Sequence, residues 1–255
     1  MKSRSYFQFS QFSVSDDRCS MKVGTDAVLL AAWAHLPQAQ RVLDIGTGSG
    51  VIALIAAQRT AFNCHIDGIE IQEADCTQAT ANAAASPWSD RISMICIDAQ
   101  DYDPPYRYDV ILCNPPYFIN SLRPPGEGRT TARHTVSLDH AVLISSVRRL
   151  LSSSGTANFI MPPEEGNQFR ELMEKAGLPA TRICSFRTRA GKNIERLLMT
   201  FARSTAGADG LASKGNNPAF MSKPDEITEI LLYAEGNRWT REYTDLTKDL
   251  YLPRP

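Results

Sequence analysis

The sequence predicts an α/β fold built around a mostly parallel sheet, on three observations. Apolar runs of strand length alternate with helix-length segments from Arg41 to Ala202. A glycine-rich turn, Gly46-Thr47-Gly48-Ser49-Gly50, joins the first of these strands to a helix. Four strands in a row then end in glycine or a polar residue, at the edge where open α/β sheets bind ligands. At 255 residues and 43% apolar, the chain can bury a substantial core. One domain over residues 1–255 is expected, with 41–203 as its core and 204–255 as a loop and C-terminal appendage.

Taken in order, Ala27 to His35 is an apolar helix, for which Thr25 or Asp26 is a suitable N-cap. Arg41 to Ile45 is a short apolar strand. The glycines after it let the backbone turn sharply and approach a ligand with no Cβ in the way. The next helix, Val51 to Arg59, points its free N–H groups at the same place. A dinucleotide fold prefers G-x-G-x-x-G, whereas the spacing here is G-x-G-x-G, and an ordinary strand-to-helix turn can carry the same glycines. Cys64 to Glu70 is the second strand, closing on an acid at the βαβ distance from the glycines, where a carboxylate can accept both hydroxyls of a ribose. Ala74 to Ala85 is a helix and Ile92 to Ile97 a third strand, followed by Asp98, which can accept from an adenine amino group.

The fourth strand, Asp109 to Cys113, runs into Asn114-Pro115-Pro116-Tyr117. An Asn side chain and a neighbouring carbonyl can both accept hydrogen bonds from one planar amino group, while a Tyr ring covers its face. Consecutive prolines fix the carbonyl's direction. Turn chemistry alone also places Asn and Pro after a strand. Leu138 to Leu151 and Glu164 to Ala176 are helices for the sheet's faces, and Thr181 to Arg189 with Glu195 to Ala202 form a last antiparallel pair. Ala206 to Lys223, rich in Gly, Ala, Ser and Asn, is a surface loop.

Composition narrows the function classes. Cys19, Cys64, Cys76, Cys96, Cys113 and Cys184 are scattered without a C-x-x-C pair and are expected to be reduced core residues. The four histidines show no metal-ligand spacing, so no metal is expected. Without a signal pattern or a bilayer-length apolar run, a soluble cytoplasmic protein is expected. Net charge is only −1, so nucleic-acid binding rests on distribution. Arg182, Arg187, Arg189, Lys192, Arg196 and Arg203 cluster against the single acid Glu195, and Arg123, Arg129 and Arg133 follow the Asn-Pro-Pro-Tyr motif. Both groups are candidates for phosphate contact near the strands' carboxyl ends; edge strands also carry such charges to resist aggregation. Phe7, Phe9, Phe12 and Trp239 are aromatic residues better explained by a core than by base stacking.

The order of these motifs resembles a class I S-adenosylmethionine-dependent methyltransferase of the branch with N-P-P-Y after its fourth strand. Over nearly the whole chain, including Ala132-Arg133-His134 and Tyr243 to Leu252, it resembles the bacterial tRNA(Val) adenine-37 N6-methyltransferase family. The resemblance implies a Rossmann-like, mostly parallel seven-stranded sheet with helices on both faces and an antiparallel edge strand. It also implies S-adenosylmethionine as cofactor and tRNA as partner, a monomer being the default. By it, Asp44, Gly46, Gly48 and Gly50 hold the methionine part of the cofactor, Glu70 the ribose and Asp98 the adenine, while Asn114, Pro115, Pro116 and Tyr117 serve the acceptor. Met21 to Leu30 is similar to the segment that lids the cofactor, which makes 1–40 a lid segment and Lys22, Thr25 and Asp26 cofactor-site candidates. Read from the residues alone, Lys22 is a solvated lysine and Asp26 a cap. RNA contacts are expected at Arg129, Arg133, His134, Arg187, Arg189, Lys192 and Arg196. A guanine amine in ribosomal RNA and a protein glutamine amide remain alternative acceptors, since both present a planar amino group. The shifted third glycine argues against a nicotinamide oxidoreductase, and the absence of a large insertion against a DNA methyltransferase.

Overall fold

A computed structural model describes residues 6–116, 140–204 and 227–252. Ten strands are described: β1 (Tyr6–Gln8), β2 (Ser13–Ser15), β3 (Arg41–Ile45), β4 (His65–Glu70), β5 (Ile92–Cys96), β6 (Tyr108–Cys113), β7 (Leu151–Met161), β8 (Ala180–Arg189), β9 (Arg196–Ala202) and β10 (Ile227–Tyr233). The α-helices are α1 (Thr25–Trp33), α2 (Val51–Arg59), α3 (Glu73–Ala84), α4 (His140–Leu150), α5 (Pro163–Lys175) and α6 (Arg241–Thr247).

Strands β1 and β2 form a hairpin, and the others form one sheet in the order β10-β8-β9-β7-β6-β3-β4-β5. Strands β3 to β7 pair in parallel, β9 runs antiparallel between β7 and β8, and β10 adds in parallel to the far side of β8. The described sheet thus has eight strands where seven were expected. β10 is the addition, and it leaves the antiparallel strand third from that edge.

Period-2 patterning divides the core. Val42, Ile66, Val110, Leu112 and Leu198 face one side, where α1, α2, α6 and the β1–β2 hairpin pack. Leu43, Ile69, Ile111, Cys113 and Met199 face the other, against α4 and α5. Phe9 and Phe12 stack with centroids 4.5 Å apart inside the first cluster, and Trp239 packs against Tyr243 and Tyr251, so these aromatics are core. The C-terminal segment closes over the amino terminus, where Ser10 N–H donates to the Leu250 carbonyl at 2.8 Å. Five of the six free cysteines are buried; Cys96, on edge strand β5, is exposed. Among the described residues no helix is long and apolar enough to cross a membrane.

Candidate active site

A cavity of about 840 Å³ opens at the carboxyl ends of the parallel strands, within the roughly 300–1,000 Å³ of small-molecule sites. One half lies over β3, β4 and β5. Gly46, Gly48 and Gly50 all have positive φ, +71°, +55° and +82°, which L-residues other than glycine rarely adopt. A Cβ on Gly46 or Gly48 would enter open space, so conformation rather than crowding demands glycine there. The loop is tied down by Gly46 and Thr47 N–H groups on the Ile69 carbonyl and by Gly48 N–H on Glu70 Oε2 at 3.0 Å.

Glu70, at the end of β4, also accepts Gln72 N–H on Oε1 at 2.9 Å; each oxygen of this cavity-lining carboxylate keeps capacity for a further donor. Asp98 lines the same half, its two oxygens accepting from Gln100 N–H and Gln100 Nε2 at 2.9 and 2.8 Å. Arg149 of α4 fixes this loop from behind, donating to the Ala99 carbonyl at 2.8 Å.

Asp44 does not line the cavity. It is fully buried behind the loop, where Oδ2 accepts from Thr47 Oγ1 at 2.5 Å and from Ala53 N–H at 3.2 Å, so it caps the first turn of α2. In the structure it positions the loop from behind, and its Oδ1 is buried without a hydrogen-bond partner among the described residues. Burial pushes its carboxyl up to about 7.

Lys22, Thr25 and Asp26 do line the cavity. Lys22 is largely exposed and its Nζ donates to the Asp16 carbonyl. The N-cap of α1 is Gly24, with no side-chain cap bond, so neither Thr25 nor Asp26 is the cap that local sequence suggested. Asp26 sits in the helix's first turn and pairs instead with Arg196, Oδ2 to Nε, at 2.7 Å.

Asn114, Pro115 and Pro116 follow β6 directly and line the middle of the cavity. Beyond them Phe186, Thr188, Glu195, Arg196 and Leu232 form its other half. Tyr117, Arg129, Arg133 and His134 lie outside the described residues, as do Arg123 and the whole stretch Ala206 to Lys223.

The basic cluster of the last strands does not form one phosphate-facing surface. Because β9 runs antiparallel to β8, Arg182 and Arg203 fall at the sheet edge opposite the cavity. There Arg182 stacks 3.9 Å over the Trp33 ring and Arg203 donates to carbonyls at the end of α4. Arg187 pairs with Glu229 of β10 at 2.6 Å, Arg189 donates to Asn237 and the Ala234 carbonyl, and Arg196 belongs to the cavity wall. Lys192, exposed at the β8–β9 turn, has no ion pair among the described residues.

Three residues that sequence reading passed over help to build the site. Gly68 of β4 lets the glycine loop lie close, since a Cβ there would stand 2.5 Å from Met94 Sδ and 3.0 Å from Thr47 Oγ1; a glycine inside a strand is the signal that could have found it. Asn82 of α3 exchanges bonds with both backbone groups of Ser15 and donates to the Ser49 carbonyl at 2.8 Å. Asp75 accepts from the Ser20 hydroxyl at 2.6 Å. Asn82 fastens the amino-terminal segment to the glycine loop, and Asp75 fastens it to α3. Polar residues seven positions apart in an alanine-rich helix are the sequence signal that could have found them.

The cavity brings the glycine loop, Glu70 and Asp98 together with Asn114 and Pro115. The glycines, Glu70 and Asp98 fit S-adenosylmethionine. A family model described as a methyltransferase domain matches residues 37–198. The chain is similar to the tRNA1(Val) (adenine(37)-N6)-methyltransferase of Bacteroides thetaiotaomicron, 39% identical over 97% of each chain. It is also similar to the protein of the same name from Histophilus somni, 36% identical over 99% of each. Among solved structures, a predicted O-methyltransferase from Agrobacterium tumefaciens superposes with a TM-score of 0.59 at 18% identity, covering 88% of this chain and 96% of that one, which bears on the fold alone. With relatives at this identity over nearly their full length, the chain belongs to the tRNA1(Val) (adenine(37)-N6)-methyltransferase family.

Proposed function

We propose that this chain transfers the methyl group of S-adenosylmethionine to the exocyclic N6 amine of adenine 37 in tRNA(Val), as its family's name implies. The observation that carries the reading is the place of Asn114: it lines one continuous cavity between Glu70 and Asp98 on one side and the β8–β9 wall on the other. The cofactor supplies an electrophilic methyl on a sulfonium. The glycine loop with Glu70 and Asp98 binds it, and Lys22 and Thr25 border it from the amino-terminal segment.

An adenine amine is a poor nucleophile because its lone pair is delocalised into the ring. Asn114 Oδ1 and the Pro115 carbonyl accept its two N–H bonds, favouring a more tetrahedral nitrogen and aiming the lone pair at the cofactor's half of the cavity. This is orientation plus stabilisation of developing positive charge. Pro116 rigidifies the carbonyl, and Tyr117 is assigned to stack on the base, which must leave its loop to enter the cavity. A methylated aminium releases its proton readily, so no dedicated base is needed.

The test is incubation with methyl-labelled cofactor and two tRNA(Val) transcripts, one with adenine 37 and one with guanine there, followed by nucleoside analysis. N6-methyladenosine from the first alone is the expected result. Methylguanosine, or equal labelling of both, overturns the assignment.

A further inference from the structure

The far half of the cavity contains a carboxylate that neither the cofactor nor the amine requires. Glu195, just before β9, uses Oε1 twice, accepting Thr188 N–H at 3.0 Å and Thr188 Oγ1 at 2.6 Å. Its Oε2 has no hydrogen-bond partner among the described residues, and the residue lines the cavity. The Thr188 hydroxyl, then its N–H and the nearby Arg196 and Lys192, hold the carboxyl below its usual range, so it is an acceptor only at neutral pH. Arg196, beside it, directs Nε to Asp26 and a terminal N–H to the Glu195 carbonyl. Asp26 and the Glu195 carbonyl already engage the Arg196 guanidinium, so what Glu195 offers this end of the cavity is an acceptor. It calls for a hydrogen-bond donor.

An adenosine inside an RNA chain has few donors. Its 3′ and 5′ oxygens are esterified, and N1, N3 and N7 only accept. The two amine hydrogens are assigned to Asn114 and the Pro115 carbonyl. One donor is left, the ribose 2′-hydroxyl, which is also the group that distinguishes RNA from DNA. Resting on the methyl-transfer reading above, we infer that Glu195 Oε2 accepts the 2′-hydroxyl of the acceptor nucleotide and is a specificity-determining residue that selects ribose. The bonds to Thr188 tie the β8–β9 turn as well, but that tie uses only Oε1 and leaves Oε2 of this cavity-lining residue for another donor.

The test compares two tRNA(Val) transcripts that differ only in a 2′-deoxy substitution at the target adenosine, with the wild type and with Glu195→Gln. Glutamine keeps an oxygen for Thr188, so cofactor affinity by calorimetry should stay within a few-fold. A hydrogen bond to a charged group predicts that the wild type loses about ten- to a hundred-fold in kcat/KM on the deoxy transcript. Glu195→Gln should lose about ten-fold or more on the ribose transcript and little further on the deoxy one. Wild-type indifference to the deoxy substitution overturns the inference, whatever the variant does. So does a Glu195→Gln penalty that is undiminished on the deoxy transcript, which would return the residue to the turn or to the base amine. Failure of the underlying reading looks different: the wild type then gives no N6-methyladenosine from the ribose transcript.

Discussion

Asp26 Oδ2 and Arg196 Nε meet at 2.7 Å on the cavity wall, joining the first turn of α1 to the start of β9 across the molecule. Their side chains are only 20% and 29% exposed, so the pair is shielded more than a surface ion pair but less than a core one. Asp26→Ala and Arg196→Ala should each lower unfolding stability by about 1–3 kcal/mol, and the double variant by clearly less than the sum. Urea denaturation of the four proteins measures this; additive losses would show that the pair contributes nothing.

The split of the basic cluster makes Lys192 and Arg187 behave differently. Lys192→Ala should weaken tRNA binding and reduce the slope of log affinity against log salt by about one contact. Arg187→Ala should lower the melting temperature, by freeing Glu229 and loosening β8 from β10, and leave the slope unchanged. Binding titrations over a salt series separate the two, and a reduced slope for Arg187→Ala would restore it as a phosphate contact.

Gly68→Ala tests how closely the glycine loop lies on β4. Met94 can rotate away from the new methyl, but Thr47 is held by Asp44, so the loop must shift. Cofactor affinity should fall about ten-fold and stability by about 1–3 kcal/mol. Calorimetry that finds unchanged affinity would place the loop's alignment elsewhere.

Asp44 gives stability a pH dependence of definite sign. Folded, its carboxyl titrates near about 7; unfolded, near about 4, so between these values the folded chain holds a proton that the unfolded chain has lost. This contribution makes stability fall as pH rises through that window. Asp44→Asn removes it, so the variant's melting temperature relative to wild type should climb from pH 4 to 7 and level off above. Parallel curves would contradict an uphill carboxylate.

What could be read in the sequence was what local periodicity and turn chemistry encode. The strand from Arg41 to Ile45 and the helix from Val51 to Arg59 end where the residues say, and Gly46, Glu70, Asp98 and Asn114 stand at one edge because parallel strands must finish together. Strand direction and partner choice were not legible. Arg182 and Arg187 are five positions apart yet serve opposite ends of the sheet, and Arg196 and Arg203 are separated in the same way by β9. β10 follows a stretch whose composition announces a loop, and nothing in Ile227–Tyr233 names β8 as its neighbour. Asp26 looked like a cap because capping is local, while Arg196, its partner, is 170 positions away.

The most direct test of the account is Asn114→Ala, assayed in parallel for cofactor binding by calorimetry and for single-turnover methyl transfer to tRNA(Val). Because Asn114 is assigned to the acceptor amine, transfer should fall by at least about a hundred-fold while cofactor affinity stays within a few-fold. Loss of cofactor binding together with transfer, or transfer at the wild-type rate, would contradict it.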